Sequence, residues 1–207
     1  VEIWPHDGST PEDYAKRLRE ECDRVGIPAA AFAVGADFLR CEDLSAEIAR
    51  VEHLVDIAAI LGASKMRHDA TIGYPEGTQG NRGFDASLPV LSDACRQITR
   101  YAAEKGVRTM VENHGWFCQD SDRVEKLANM VGDPNFGVLC DMGNFLDAEE
   151  DPITACTRVA PYTIHVHAKD FHWKSGEQND PGWGFWPTRG GNLMRGAIVG
   201  DGIVPVK

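Results

Sequence analysis

The sequence predicts an α/β fold made of repeated strand–helix units, and three observations carry that prediction. Short apolar runs alternate with longer segments of helical periodicity at roughly 30 residues per unit, as parallel strands joined by helical crossovers require. Hydrophobic residues make up 43% and charged residues 26% of the 207 residues, an ordinary composition for one globular domain. Charged side chains follow directly on three successive strands.

Five helices are predicted from their apolar periodicity and their boundary residues. The first begins after Thr10, whose hydroxyl can cap the helix and which precedes a proline, and it ends at Gly26. Four more are predicted at about 45–61, 85–105, 121–131 and 151–159.

Six strands alternate with these helices, at residues 1–4, 29–34, 65–71, 107–112, 136–140 and 162–167. Two closures of such a pattern compete, an open doubly wound sheet and a (β/α)₈ TIM barrel. No glycine-rich phosphate-binding turn follows a strand, which favours the barrel. A complete barrel needs ~250 residues and eight units. Because both ends of the chain look cut, we expect an incomplete barrel holding about strands two to seven.

The segment 170–207 differs from the rest because glycine and tryptophan are frequent and no helical period is present. We expect a long ordered loop region within a single domain spanning 1–207. Loops of this length are usually functional. A lid or a subunit contact is therefore expected, with a crossover loop that packs its own tryptophans as the equal alternative.

Charge and cysteine usage narrow the functional classes. The net charge of −11 argues against a nucleic-acid partner. No run of apolar residues is long enough to span a membrane, and no leader segment is expected. The six cysteines are scattered singly, as in proteins whose thiols stay reduced, which favours a cytoplasmic location.

Three successive strands end in potential metal ligands, namely Glu112, Asp141 and His167. A lone acid at a strand end more often caps the next helix. Three in phase are harder to explain in that way, because the carboxyl ends of parallel strands meet at one mouth. Two carboxylates and one imidazole suit a single divalent ion such as Mn²⁺, Mg²⁺, Zn²⁺ or Co²⁺.

The segments around these ligands resemble the xylose isomerase-like barrels, a family that includes sugar phosphate isomerases and epimerases, inosose dehydratase and hydroxypyruvate isomerase. The matching segments are Val-Glu-Asn-His at 111–114, Cys-Asp-Met-Gly-Asn-Phe at 140–145 and His-Val-His-Ala-Lys-Asp at 165–170. The resemblance covers nearly the whole chain. It places residues 1–4 on the family's second strand and leaves the first and eighth strands out.

The resemblance implies a metal-dependent isomerase or epimerase that acts on a sugar, keto-sugar or sugar phosphate through an enediolate. The family's fourth ligand, a second glutamate, is expected beyond Lys207, and without it this chain is expected to be inactive. Catalytic roles are predicted for Glu112, His114 and Lys169. Substrate-binding roles are predicted for Arg67, His68, Asn113, Trp116 and Asn144.

Two departures from the family keep other activities open. Cys118 stands where C3-epimerases of free ketoses carry a further glutamate, and Asn144 stands where many relatives have histidine. A dehydratase or lyase on a keto-sugar or keto-cyclitol is therefore an equal alternative. A non-catalytic sugar-binding barrel is a further alternative, and an abasic-site endonuclease is disfavoured by the acidic charge and the missing histidine. A homo-oligomer is expected because barrels of this kind often complete their sites with neighbouring loops.

Overall fold

The computed structural model describes residues 5, 7–179 and 181–206. Its helices are α1 (Pro11–Val25), α2 (Leu44–Leu61), α3 (Phe84–Glu104), α4 (Ser121–Val131) and α5 (Pro152–Val159), with 3₁₀ turns at Asn144–Ala148 and Ala160–Tyr162. Its strands are β1 (Phe32–Val34), β2 (Lys65–His68), β3 (Arg108–Glu112), β4 (Phe136–Asp141), β5 (Thr163–His167), β6 (Asp170–Lys174), β7 (Trp186–Pro187) and β8 (Leu193–Ala197).

The five predicted helices are confirmed to within a residue or two at each end. Thr10 caps α1 by accepting a hydrogen bond from the backbone of Asp13, and Gly26 ends the helix in the left-handed conformation, with φ of 72°. Asp43 and Asp151 cap α2 and α5 in the same way. None of the described helices combines the length and apolar character needed to cross a membrane.

The strands β1 to β5 form one parallel sheet whose spatial order follows the order in the chain. A doubly wound sheet would reverse direction at a switch point, whereas a barrel keeps sequential neighbours together. The order therefore confirms the barrel prediction over its rival. The strand predicted at residues 1–4 lies outside the described residues.

Alternation along each strand separates a helix-facing side from an inner side. On β3 and β4, Val111 and Val138 are buried in the core between sheet and helices. Glu112 and Asp141 end these strands on the inner side, where they meet His167 of β5. The fold thus places the three strand-end residues close together at the carboxyl end of the parallel sheet.

The segment predicted as a long loop region is partly a second sheet, so the loop prediction is wrong for β6, β7 and β8. These strands form an antiparallel sheet in the order β6-β8-β7, with Phe171 opposite Gly196 and Trp173 opposite Met194. Phe171 and Met194 are buried and form a small separate core. Polar and aromatic residues alternate through Asp170–Lys174, which is a strand period. This signal covers only five residues, and the glycine-rich stretch that follows it has no clear period.

Candidate metal centre

The structure brings Glu112, Asp141 and His167 together at the carboxyl end of the parallel sheet. One ligand atom from each lies within 4.8 Å of the others. His167 Nδ1 is 3.8 Å from Glu112 Oε1 and 3.8 Å from Asp141 Oδ2. Asp141 and His167 are direct partners in the β4–β5 register, so their approach follows from the strand pairing itself.

The two carboxylate oxygens of Asp141 differ in their hydrogen bonds. Oδ1 accepts hydrogen bonds from the backbone N–H groups of Gly143 and Asn144, each at 3.0 Å. Oδ2 is buried and accepts no hydrogen bond from any described residue. The ammonium of Lys169 lies 2.9 Å from Oδ2, but as an ion-pair contact without hydrogen-bond geometry. Oδ2 thus has one cationic neighbour and no hydrogen-bond donor, which leaves it a lone pair with which to bind a second cation.

The chemistry of the three donors also fits a cation. Two carboxylate oxygens and one imidazole nitrogen form a mixed set that suits divalent ions of intermediate hardness. Glu112 and Asp141 are buried, while His167 is partly exposed, so the cluster opens to solvent on one side. The residues present therefore fit a divalent metal ion, and their assignment as ligands stays a prediction.

Two further predicted residues surround the cluster and are engaged with it. Arg67 on β2 donates from Nε to Glu112 Oε2 at 2.8 Å and also pairs with Asp69. Asn144 donates from Nδ2 to Glu112 Oε1 at 3.1 Å and accepts from Lys169 Nζ at 2.9 Å. Both oxygens of Glu112 thus have a donor, which fixes the orientation of that carboxylate.

Asn113 is in the site but not on its surface. Its side chain is fully buried, and its amide bonds only to the backbone of Asp141. The prediction that Asn113 binds substrate is therefore wrong, because no atom of its amide is accessible to a ligand. Asn113 instead fixes the position of the strand end that carries Asp141.

The structure does not bring His68 to the mouth, although Arg67 beside it is there. Successive strand residues point to opposite sides, so His68 faces the core. It is fully buried, and its Nδ1 lies 2.8 Å from the carbonyl oxygen of Asp69. Its ring meets that of Phe38 edge-on at 5.9 Å. Burial lowers the pKa of His68, so the ring is neutral and has a structural role.

His114 and Trp116 lie on the loop after β3, at the outer edge of the cluster. His114 is half-exposed, with Nδ1 3.2 Å from the guanidinium of Arg67 and 3.4 Å from Asp69 Oδ1. Trp116 is 51% exposed and has a positive φ of 66°. Both side chains therefore remain accessible to a ligand.

Sequence reasoning missed two residues that support the site. Asp69 pairs with Arg67, and its position two residues further along the same strand end was an available signal. Gln119 joins two loops by donating to the carbonyl oxygen of Asn144 and accepting from the N–H of Trp116. No spacing rule connects Gln119 with Asn144, so the sequence offered no signal for that contact.

The second sheet packs directly on the loop that follows Asp141. A Cβ added to Gly143 would lie 2.6 Å from the ring of Phe171 and 3.0 Å from the carbonyl oxygen of Lys169. Only glycine permits this close approach. The segment after β5 is thus part of the wall around the site.

Comparison with known proteins places this geometry in context. The family model described as "Xylose isomerase-like TIM barrel" matches residues 1–207. Inosose dehydratase of Clostridium beijerinckii is 30% identical over 82 residues, which is 39% of this chain and 28% of the relative. The match thus spans under a third of the length of that curated relative.

Solved structures share the fold. A xylose isomerase domain protein from Planctomyces limnophilus superposes with a TM-score of 0.74 at 21% identity, covering 97% of this chain and 71% of the other. The 3-keto-D-glucoside 4-epimerase of E. coli superposes with a TM-score of 0.64 at 14% identity, covering 76% of this chain and 64% of the other.

Two other structural neighbours are described with a metal. A barrel protein from Mycobacterium smegmatis is in complex with magnesium, with a TM-score of 0.62 at 14% identity, covering 94% of this chain and 75% of that one. The IOLI protein has a bound zinc atom, with a TM-score of 0.67 at 15% identity, covering 92% and 64%.

Proposed function

The chain belongs to the xylose isomerase-like TIM barrel family, and from that premise we propose that it carries the metal centre of an enzyme acting on a sugar or keto-sugar. Glu112, Asp141 and His167 hold one divalent ion in this proposal, and a proton is moved at the carbon beside the substrate's carbonyl group. The observation that carries the proposal is the approach of one ligand atom each from Glu112, Asp141 and His167 to within 4.8 Å of one another. Among these atoms the buried Asp141 Oδ2 has the Lys169 ammonium as an ion-pair contact at 2.9 Å and accepts no hydrogen bond from a described residue. The fourth ligand implied by the family stays a prediction.

A bound divalent ion supplies Lewis acidity, which polarises the carbonyl group and makes the neighbouring C–H bond more acidic. The protein's task is then to orient the substrate and to accept the proton. Glu112 already has donors on both carboxylate oxygens, from Asn144 and Arg67. This arrangement suits Glu112 to a fixed ligand role and leaves the proton for another group.

His114 is the proton acceptor in this account. In the tautomer that this step uses, Nδ1 carries the hydrogen and points it at Asp69 Oδ1, 3.4 Å away. The lone pair then lies on Nε2, which has no hydrogen-bond partner among the described residues. Half of the side chain is exposed at the edge of the cluster. When the C–H bond breaks, its electron pair stays on the substrate and the proton passes to Nε2. Lys169 can donate to a substrate oxygen, because its ammonium already lies beside Asp141 and Asn144.

Two outcomes follow from the same first step. Return of the proton, to the other face or to the neighbouring carbon, gives an epimerase or an isomerase. Departure of a neighbouring hydroxyl group as water gives a dehydratase. The partial match to inosose dehydratase supports the second outcome, and the shared fold with a keto-glucoside epimerase is compatible with the first.

Solvent deuterium exchange tests the step that both outcomes share. Full-length protein loaded with Mn²⁺ should introduce deuterium beside the carbonyl of a keto-sugar or keto-cyclitol, and EDTA should stop this exchange. The variant H114Q should reduce exchange by about 10²-fold or more. E125Q is the control, because Glu125 lies on α4 beside Tyr162 and away from the mouth. Mass analysis of the product for loss of water then separates the two outcomes. Unchanged exchange in H114Q would refute the proton-transfer role.

A further inference from the structure

A cavity lies beside the metal centre and has a different chemical character. It is an open depression of about 510 Å³, and this volume is within the range of small-molecule sites. Only one residue separates it from the candidate ligand Glu112 on each side. His114 in the lining contacts Arg67, Gln119 in the lining contacts Asn144, and both of these contacts bond to Glu112. The residues that line it are Ile72, His114, Gly115, Trp116, Gln119 and Asp147.

The lining combines one aromatic face with the polar side chains of three residues, and it includes no lysine or arginine among the described residues. Trp116 is 51% exposed and Ile72 is 55% exposed. Asp147 uses Oδ1 to accept from the indole of Trp186 at 3.2 Å, and its Oδ2 accepts no hydrogen bond from the described residues. A carboxylate without a nearby free cation disfavours a phosphate group and suits hydroxyl donors.

Trp116 is held by Arg189, which lies in the turn between β7 and β8. Arg189 donates to the carbonyl oxygen of Trp116 and stacks over its ring, with the guanidinium carbon 5.4 Å from the ring centre. The same guanidinium donates to Asp120, and the backbone N–H of Arg189 donates to the carbonyl oxygen of Asp147 at 2.9 Å. Arg189 therefore ties the two loops on either side of the cavity together and covers one face of the indole.

We propose that this cavity binds an uncharged sugar ring that the substrate carries beyond its reacting carbons. The favoured substrate is then a keto-sugar joined to a second ring, in preference to a free or phosphorylated monosaccharide. The apolar C–H face of such a ring packs on the open face of Trp116, and its hydroxyl groups donate to Asp147 and meet His114. This inference rests on the proposed function for the identity of the reacting end, whereas the ring subsite itself needs no metal.

Calorimetric titration of the full-length protein tests the subsite with four probes: fructose, fructose 6-phosphate, and the fructose-containing disaccharides lactulose and turanose. At least one disaccharide should bind about tenfold more tightly than fructose, as a stacked and partly desolvated ring allows. Fructose 6-phosphate should bind no more tightly than fructose. The preference should persist after EDTA treatment, which separates failure of the subsite from failure of the metal centre.

Matched variants assign the preference to the aromatic face. W116G removes the ring without strain because φ is already positive at this position, and it should abolish the disaccharide preference. W116F should retain most of it. R195A is the control, since Arg195 makes a similar stack on Phe185, at 4.8 Å, within the second sheet region and away from the cavity. Equal binding of fructose and both disaccharides, tighter binding of the phosphate, or an unchanged preference in W116G would each overturn the proposal.

Discussion

The side-chain amide of Asn113 forms two hydrogen bonds with the backbone of Asp141. Nδ2 of Asn113 donates to the carbonyl oxygen of Asp141 at 2.8 Å, and Oδ1 accepts from its N–H at 2.8 Å. These bonds join the residue after β3 to the last residue of β4, in a fully buried position. The aspartate at the centre of the candidate metal site is therefore placed by a neighbouring strand end as well as by its own strand.

Replacing Asn113 with alanine should weaken both the fold and the metal site. Two buried backbone groups would lose their partner, at a cost of about 1–3 kcal/mol in the free energy of unfolding. Loss of such an outer support should also lower metal affinity by about 10–100-fold. Denaturant unfolding and metal titration of the full-length variant measure the two effects.

Asn135 offers a matched control for that experiment. Its amide donates to the carbonyl oxygen of Val107 at 2.8 Å, at the opposite end of the same pair of strands. N135A should destabilise the fold but leave metal affinity unchanged. If both variants lowered metal affinity equally, Asn113 would have no specific role at the site.

Substitutions at Arg67 should show how much of its effect on turnover comes from its positive charge and how much from the planar shape of the guanidinium. Arg67 contacts Glu112 Oε2 through both Nε and Nη2, at 2.8 and 2.7 Å, and its side chain is only 12% exposed. R67K keeps the charge without the planar fork, and R67M removes both. We expect turnover to fall by about 10-fold in R67K and about 100-fold in R67M. Steady-state kinetics measures this, with R24M, at an exposed pair with Glu21 on α1, as the control. Equal losses in the two Arg67 variants would contradict a role for the fork.

Asp170 should make the second sheet region sensitive to acid. Burial favours the protonated form, but N–H groups of Val204, Gly202, Phe171 and Gly200 bind the carboxylate and lower the pKa of Asp170 overall. Because this pKa is lower in the folded state, its stabilisation is present above the unfolded value of about 3.9 and is lost as pH falls through the folded value.

The variant D170N should therefore unfold more easily by about 1.5–3 kcal/mol at neutral pH. The difference from the wild type should shrink below pH of about 4. Thermal unfolding across pH measures this. The control is D201N, since Asp201 is exposed and lies between Gly200 and Gly202, whose N–H groups bind Asp170. A difference that stays constant down to pH of about 2 would refute the charged interaction.

Cys118 should be chemically inert in the native protein. Burial, aided by the negative charge of Asp69, raises the pKa of the Cys118 thiol to about 12. The neutral thiol cannot replace the additional glutamate of ketose C3-epimerases as an acid or base. A pulse of iodoacetamide at mildly alkaline pH should modify the partly exposed Cys22 and spare Cys118 until the protein is unfolded. Peptide mass spectrometry distinguishes them, and equal labelling of both would contradict the burial.

The parallel sheet and the three candidate ligands could be predicted from the sequence because both depend on strand period. Glu112, Asp141 and His167 each end a strand, and sequential strands of a barrel place their ends together. The role of Asn113 could not be predicted in this way. A side chain beside a ligand can face the substrate or the neighbouring backbone, and only the packing decides between them.

The second sheet and the Trp116 loop could not be predicted from strand period, because both depend on contacts between segments that are distant in the sequence. β7 has only two residues, and its partner β8 is identified by a pairing between distant segments. The contact between Arg189 and Trp116 joins residues in different loops and depends on the fold of both. His68 shows the opposite case, since the alternation along β2 already places it on the core side, away from Arg67.

Metal content of the full-length protein and its D141N variant tests the central claim most directly. D120N is the control, because Asp120 Oδ2 is likewise buried without a hydrogen bond among the described residues but lies outside the ligand cluster. After dialysis against Mn²⁺ or Zn²⁺, elemental analysis should find a single equivalent of metal in the wild type and in D120N, and little in D141N. Equal metal content in all three proteins, or none in the wild type, would contradict a metal centre at Glu112, Asp141 and His167.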